Sequence, residues 1–241
     1  MSRRASCILL SLVAGALLAY YFWTTPGLFG SKAQGDGLFS FHYLPNLVVF
    51  RSLDMRHSLP EHLDFMDSGP RGHKLNRAPI GPALAMLPIY CLGETAKLVA
   101  TGVLRGLHRE PRVLGPPPFV PHTGQMLYTG LVTLAAGLLG MLLTYRLLRR
   151  HFAGGAALAG AVLAVVLTPQ LWYLTIQPHY QHGLAFAAVA LFMERWDRQR
   201  GSLRPRRFFA LGVLGGVAML MRAQEVVFLL APVLELVLAL V

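Results

Sequence analysis

The sequence predicts an all-α protein, a polytopic transmembrane helical bundle with a large first outer loop that carries juxtamembrane helices. Three observations predict it. Of 241 residues, 54% are hydrophobic and only 14% charged, and the mean hydropathy is +0.50, a balance too apolar for a soluble domain. Apolar runs long enough to approach membrane-spanning length recur along the chain, with polar segments between them. Arginines gather against the ends of those runs: of 22 Lys and Arg, six lie between Arg195 and Arg207, and three more are Arg146, Arg149 and Arg150. Basic clusters beside hydrophobic spans mark cytoplasmic loops. The formal net charge of +11 therefore reads as topology, and no nucleic-acid partner is expected.

The first span is expected at about 6–23. Arg3 and Arg4 precede it, and Tyr20-Tyr21-Phe22-Trp23 close it as an interfacial aromatic belt. No small-x-small site stands before Thr24-Thr25-Pro26, so the run reads as an uncleaved span with a cytoplasmic start. Further spans are expected at 124–145, 156–173, 183–193 and 208–220, with a sixth candidate at 226–241, where the sequence stops within an apolar run and is expected to continue. Ala156, Gly160 and Ala164 have the small-xxx-small spacing that favours close helix packing in lipid.

Residues 24–122 form the outer loop, with ten Lys or Arg, seven Asp or Glu and six His. Its apolar stretch 79–104 contains Pro82, Pro88, Glu94 and Lys97, which are costly at membrane depth. The span ending at Arg146, Arg149 and Arg150 must run inward, and with one span before it there is no room for a crossing at 79–104. That stretch is therefore expected as a helix lying in the interface. The whole chain reads as one membrane module of the bacterial inner (plasma) membrane with a cytoplasmic N-terminus. Cys7 and Cys91 have no CxxC spacing and no His at metal spacing beside them, so neither a disulfide framework nor a zinc site is indicated.

Gly35-Asp36-Gly37 follows the first span, where a carboxylate stays wet enough to ionise and close enough to meet lipid headgroups. Asp36 reads either as a turn residue or as a carboxylate that takes a proton or meets a metal. On the same outer side stand Lys74 and Arg77, His179 and His182, and Arg222 with Gln224 and Glu225. An acid, bases and cations at one membrane face suit a reaction on a lipid-linked phosphate: the cations neutralise the phosphate and the carboxylate takes the proton of an attacking hydroxyl. Each has a plainer alternative. Lys74 and Arg77 suit a hydrated loop, Arg222 a snorkelling anchor, and His179 and His182, a candidate outer-turn site at i, i+3, suit hydrogen bonding in a tight turn as well as metal ligation. Glu225 and Glu235 are expected to pair or to face a cavity.

The order of these elements is a further signal: a first span, Gly35-Asp36-Gly37, Asn76-Arg77-Ala78-Pro79-Ile80-Gly81-Pro82 opening the interfacial helix, a span ending Tyr145-Arg146-Leu147-Leu148-Arg149-Arg150, and the turn Gln177-Pro178-His179-Tyr180-Gln181-His182. In this order the chain resembles the amino-terminal part of the GT-C class of membrane glycosyltransferases, the dolichyl-phosphate-mannose protein mannosyltransferase and aminoarabinose-transferase-like group. The resemblance implies an inverting transfer of a sugar from a polyprenyl-phosphate-linked donor to a lipid, glycan or protein acceptor at the outer, periplasmic face, among membrane lipids. It matches Asp36 to a catalytic base or metal contact and Arg77 to the place where related enzymes hold the lipid phosphate; Lys74, Arg222 and Gln224 join Arg77 as candidate phosphate contacts by their place on the same face. A divalent metal is compatible with this set, though nothing in the sequence requires one. One departure is His179, where related transferases often carry a second acidic residue. A transporter, with Arg222, Glu225 and Glu235 along a pathway, and a non-catalytic accessory fragment are the alternatives.

Overall fold

The computed structural model describes residues 3–28, 36–58, 66–69, 72–106 and 123–240. Among them the chain is helical apart from one two-stranded ribbon. Three of the described helices are long and apolar enough to cross a membrane, over Arg4–Thr24, Gly81–Ala100 and Gly124–Leu148.

Helix α1 (Arg3–Leu28) buries Leu10, Leu17 and Tyr21 along one stripe and leaves Ile8, Leu12 and Trp23 exposed, the pattern of a helix with lipid on its outer side. Its partners are α4 (Thr123–Leu148), α5 (Gly154–Val166) and α6 (Gln170–Thr175). Tyr21 Oη donates to the Leu127 carbonyl at 2.7 Å and Thr24 Oγ1 to the Thr175 carbonyl at 3.0 Å, which ties the end of α1 to the start of α4 and the end of α6. A continuous helix over 156–173 does not form. It stops after Val166, where the Thr168 hydroxyl donates back to the Ala164 carbonyl and Pro169, lacking an N–H, opens α6. The face of α5 that packs is Ala157, Ala161 and Val165, all fully buried; the Ala156, Gly160, Ala164 stripe lies one residue round the helix and faces outward or is half-buried.

Helix α4 is the centre of the bundle and lies against α7 (His182–Arg198). A β-carbon on Gly140 would sit 3.2 Å from the Ala187 Cα, so the two backbones approach closely there. Helix α8 (Pro205–Met221) packs on α7 and is followed by a 3-10 turn, Ala223–Leu229, and α9 (Leu230–Leu240). The arginine-rich end is closed by ion pairs: Arg146 and Arg198 on Glu194 at 3.3 and 2.6 Å, Arg150 and His151 on Asp197 at 2.8 and 3.0 Å. Glu235 joins this end, accepting from Trp196 Nε1 and the Gly201 amide and pairing with Arg207.

At the opposite end a second core forms from α2 (Asp36–Pro45), a π-helical turn Asn46–Phe50, a 3-10 turn Met55–His57, and α3 (Gly81–Gly106), centred on Phe41, Leu44, Met55, Met86 and Tyr90. Helix α3 starts against the end of α8, where a β-carbon on Gly81 would clash with the Leu220 carbonyl. Twelve residues on, Gly93 abuts Tyr128, and Glu94 accepts from Gln125 and Tyr128 near the start of α4. Helix α3 thus bridges the same ends of α8 and α4, away from the arginine-rich end.

Candidate functional site

The ribbon pairs β1 (Asp67–Ser68) with β2 (Lys74–Leu75), antiparallel. Asp54 anchors it. Its buried carboxylate accepts from the Arg56 side chain and amide and from the Lys74 amide at 3.2 Å, and faces His73 Nδ1 at 2.8 Å. The Arg56 guanidinium above all, with His73 and the two amides, holds the Asp54 carboxyl well below the usual carboxylate range against the opposing effect of burial. Just after β2 the chain is fixed again. Asn76 Nδ2 donates to the Phe39 carbonyl at 2.7 Å, its Oδ1 accepts the Ala78 amide at 2.9 Å, and the Tyr43 hydroxyl reaches the Asn76 and Ala78 carbonyls. Arg77 is therefore presented from a backbone held on both sides. Its guanidinium forks onto Asp67, which raises the Arg77 pKa and lowers that of Asp67.

The turn between α6 and α7 carries the two histidines. His179 is buried, with Nε2 3.0 Å from the Met126 carbonyl and 3.1 Å from Thr129 Oγ1. The Thr129 hydroxyl donates to the Gln125 carbonyl at 2.7 Å, and a carbonyl can only accept, so Nε2 carries the hydrogen. Burial pushes the imidazole down to about 4, with the Met126 bond opposing, and His179 is neutral at pH 7. Its ring also meets Phe41 of α2 edge-on. His182 serves other partners: it stacks on Tyr173 at 3.7 Å between centroids and 11° between planes, and its Nδ1 lies 3.2 Å from Arg222 Nη1.

These pieces enclose a cleft of about 390 Å³, lined by Phe39 and Met66, by Asn76 to Pro79, and by Gln181, Arg222, Ala223 and Gln224. Arg222 is pinned at its rim: Nη1 faces His182 on one side and Glu225 Oε1 at 3.6 Å on the other. Burial raises the Glu225 pKa, with Arg222 opposing. The Nε of Arg222 and the Oε1 of Gln181 are buried without a hydrogen-bond partner among the described residues. A cleft with two guanidiniums, three carboxamides, one unfilled donor (Arg222 Nε) and one unfilled acceptor (Gln181 Oε1) is suited to an anion with a polar, uncharged body attached.

Of the residues singled out from the sequence, Arg77, Arg222 and Gln224 come together in this cleft. Lys74 stands on β2, its amine 3.2 Å from Ser68 Oγ. His182 touches Arg222, while the Nε2 of His179 is turned toward Met126 and Thr129 of α4. Among the described residues no three His, Cys, Asp or Glu are grouped to hold a metal. Asp36 opens α2, and its side chain lies outside the described residues. The next residue, Gly37, sits directly against His179 and Tyr180, and Phe39 one turn on lines the cleft. The sequence reading missed Asp54 and Gln181 and used Asn76 only as part of a motif. Asn76 could have been found from the Asn-x-Ala turn before Pro79; the partners of Asp54 lie about twenty residues away across an irregular segment, which no local spacing reveals.

A helical protein with candidate membrane spans and, at one end, a cleft lined by two guanidiniums is the class that fold and cleft define. Residues 125–241, from α4 onward, match the family model described as dolichyl-phosphate-mannose-protein mannosyltransferase. No curated protein and no solved structure matches the chain.

Proposed function

We propose that the protein moves a sugar from a polyprenyl-phosphate-linked donor to a lipid, glycan or protein acceptor, with inversion at the sugar, at the outer face of the plasma membrane and with its N-terminus in the cytoplasm. The observation that carries the reading is the convergence of Arg77, Arg222, Gln224 and Gln181 on one cleft, beside the helix that Asp36 opens and at the end remote from the arginine-rich loops. The family match over residues 125–241 supports it.

In this reading the two guanidiniums hold the donor phosphate, Gln224 and Gln181 offer amides to its oxygens or to the sugar, and Lys74 adds positive charge on the neighbouring ribbon. The acceptor hydroxyl oxygen bonds to the anomeric carbon as the carbon–oxygen bond to phosphate breaks, and the electron pair leaves with the phosphate. Asp36 takes the hydroxyl proton.

The test is Asp36→Asn in the full-length protein. Removing a positioned general base costs on the order of a hundredfold to ten-thousandfold in rate, while Asn keeps the hydrogen bonding of a turn. Transfer should collapse with membrane insertion and abundance intact. Transfer at near the unmodified rate would return Asp36 to a turn and leave the cleft without its base.

A further inference from the structure

We propose that His182 is a positioning residue: its neutral imidazole, held on Tyr173, orients the Arg222 guanidinium toward the donor phosphate in the cleft. The inference rests on the donor-cleft reading above and deepens it.

A guanidinium can only donate, so the 3.2 Å contact between Arg222 Nη1 and His182 Nδ1 requires a lone pair on Nδ1. The ring is then neutral with its hydrogen on Nε2; a protonated ring would set N–H against N–H. Its plane is fixed from two directions. His182 is the first residue of α7, so its backbone is part of a packed helix, and the ring lies nearly parallel on Tyr173 with Tyr180 alongside at 6.1 Å.

What the imidazole offers is direction without neutralisation. Among the described residues the carboxylate nearest Arg222, Glu225, stands 3.6 Å away, an ion pair too long for a hydrogen bond. The closest described acceptor to the guanidinium is thus an uncharged nitrogen. A carboxylate at position 182 would compete with the phosphate for the cation, and a lysine would repel it. The imidazole fixes one N–H and leaves the charge available, while Arg222 Nε, buried at the cleft without a partner among the described residues, still wants an acceptor.

The full-length protein in detergent is titrated with dolichyl phosphate, comparing the unmodified protein with His182→Phe, His182→Asn, Arg222→Gln and the double variant His182→Phe/Arg222→Gln. Phe keeps the stack on Tyr173 but has no acceptor; Asn places an oxygen near the position of Nδ1. His182→Phe should weaken binding about tenfold, His182→Asn should recover most of it, and the double variant should bind no more weakly than Arg222→Gln alone, since the histidine acts through the arginine. If His182→Phe does not fold, His182→Gln takes its place with the same expected loss, because its amide reaches the Nε2 position instead. Unchanged binding in His182→Phe, a failure of Asn to rescue, or losses that multiply in the double variant would each overturn the role of His182 while the cleft reading stands. Unchanged binding in Arg222→Gln would remove the cleft reading itself, and the role of His182 with it.

Discussion

A β-carbon on Gly37 would lie 3.3 Å from the β-carbon of His179, so the first turn of α2 rests on the turn before α7 with no room for a side chain. His179 has nowhere to retreat, being fully buried with Nε2 held by Met126 and Thr129. Gly37→Ala gains helix propensity of about 1 kcal/mol and loses at least as much to crowding. It should leave the fold intact and lower transfer, because α2 is displaced where Asp36 begins. Gly81→Ala should be worse: its β-carbon would meet the Leu220 backbone, which cannot rotate away as a side chain can. Thermal unfolding in detergent checks the order. Gly81→Ala as stable as the unmodified protein would mean that α3 does not seat on α8 as described.

Asp54 makes a pH prediction for the ribbon that carries Arg77. Its folded pKa is lowered by Arg56 foremost, with His73 and two amides. A lowered folded pKa means the stabilisation is fully present above the unfolded value, near 4, and drains away as pH falls below it toward the folded one. Amides of residues 66–69 and 72–77 should therefore exchange faster with solvent as pH drops below about 4, after correction for intrinsic rates. Asp54→Asn should show the same loosening at pH 7, at a cost of about 2–3 kcal/mol. Identical protection in variant and unmodified protein would mean that Asp54 does not anchor the ribbon.

How far the sequence reaches is visible in α4 and α5. The apolar run before Arg146 is long, uniform and flanked by charge, and it lies within α4, which continues to Leu148. The run at 156–173 holds Thr168 and Pro169, and the helix there is interrupted after Val166 and resumes at Gln170. In the cleft, Arg77, Arg222 and Gln224 could be singled out from the sequence because the expected topology puts all three on one outer face. Gln181 was not, since a glutamine between two histidines in a turn differs from other turn residues only once its burial is known. For His179 the sequence left hydrogen bonding in a turn and metal ligation both open, and only the packing of α2 and α4 shows the imidazole buried with its Nε2 on the Met126 carbonyl.

The two cleft arginines should not contribute equally. Arg77 is largely exposed and already forked onto Asp67, whereas Arg222 is three-quarters buried with its nearest described acceptor uncharged. Arg222→Gln should cost about 1.5–3 kcal/mol in donor binding, the worth of a charged hydrogen bond, and Arg77→Gln distinctly less. Asp67→Asn releases Arg77 from its competitor and should tighten binding. Equal losses from the two arginines, or weaker binding in Asp67→Asn, would mean that Arg77 is an ordinary partner of Asp67 and not a phosphate contact.

The placement of α3 gives the prediction with the widest reach. By length and composition Gly81–Ala100 qualifies as a span, and if it crossed, its two ends would lie on opposite faces and residues 24–122 would not be one loop. Against a crossing stand its contacts: Gly81 at the end of α8 and Glu94 at the start of α4, both at the end of the bundle away from Arg146, Arg149 and Arg150. Charge points the same way, since Glu94 and Lys97 near mid-bilayer would each cost about 2.5–3.5 kcal/mol. Cysteines introduced one at a time at Leu75, Gly106, Arg149 and Arg204, with Cys7 and Cys91 replaced by Ser, report the faces directly. Positions 75 and 106 should react with an impermeant reagent from one side of sealed vesicles, and 149 and 204 only from the other. If 106 reacts from the side of 149, α3 spans, the cleft loses its place on a single outer loop, and the first of the three long helices no longer stands alone before α4.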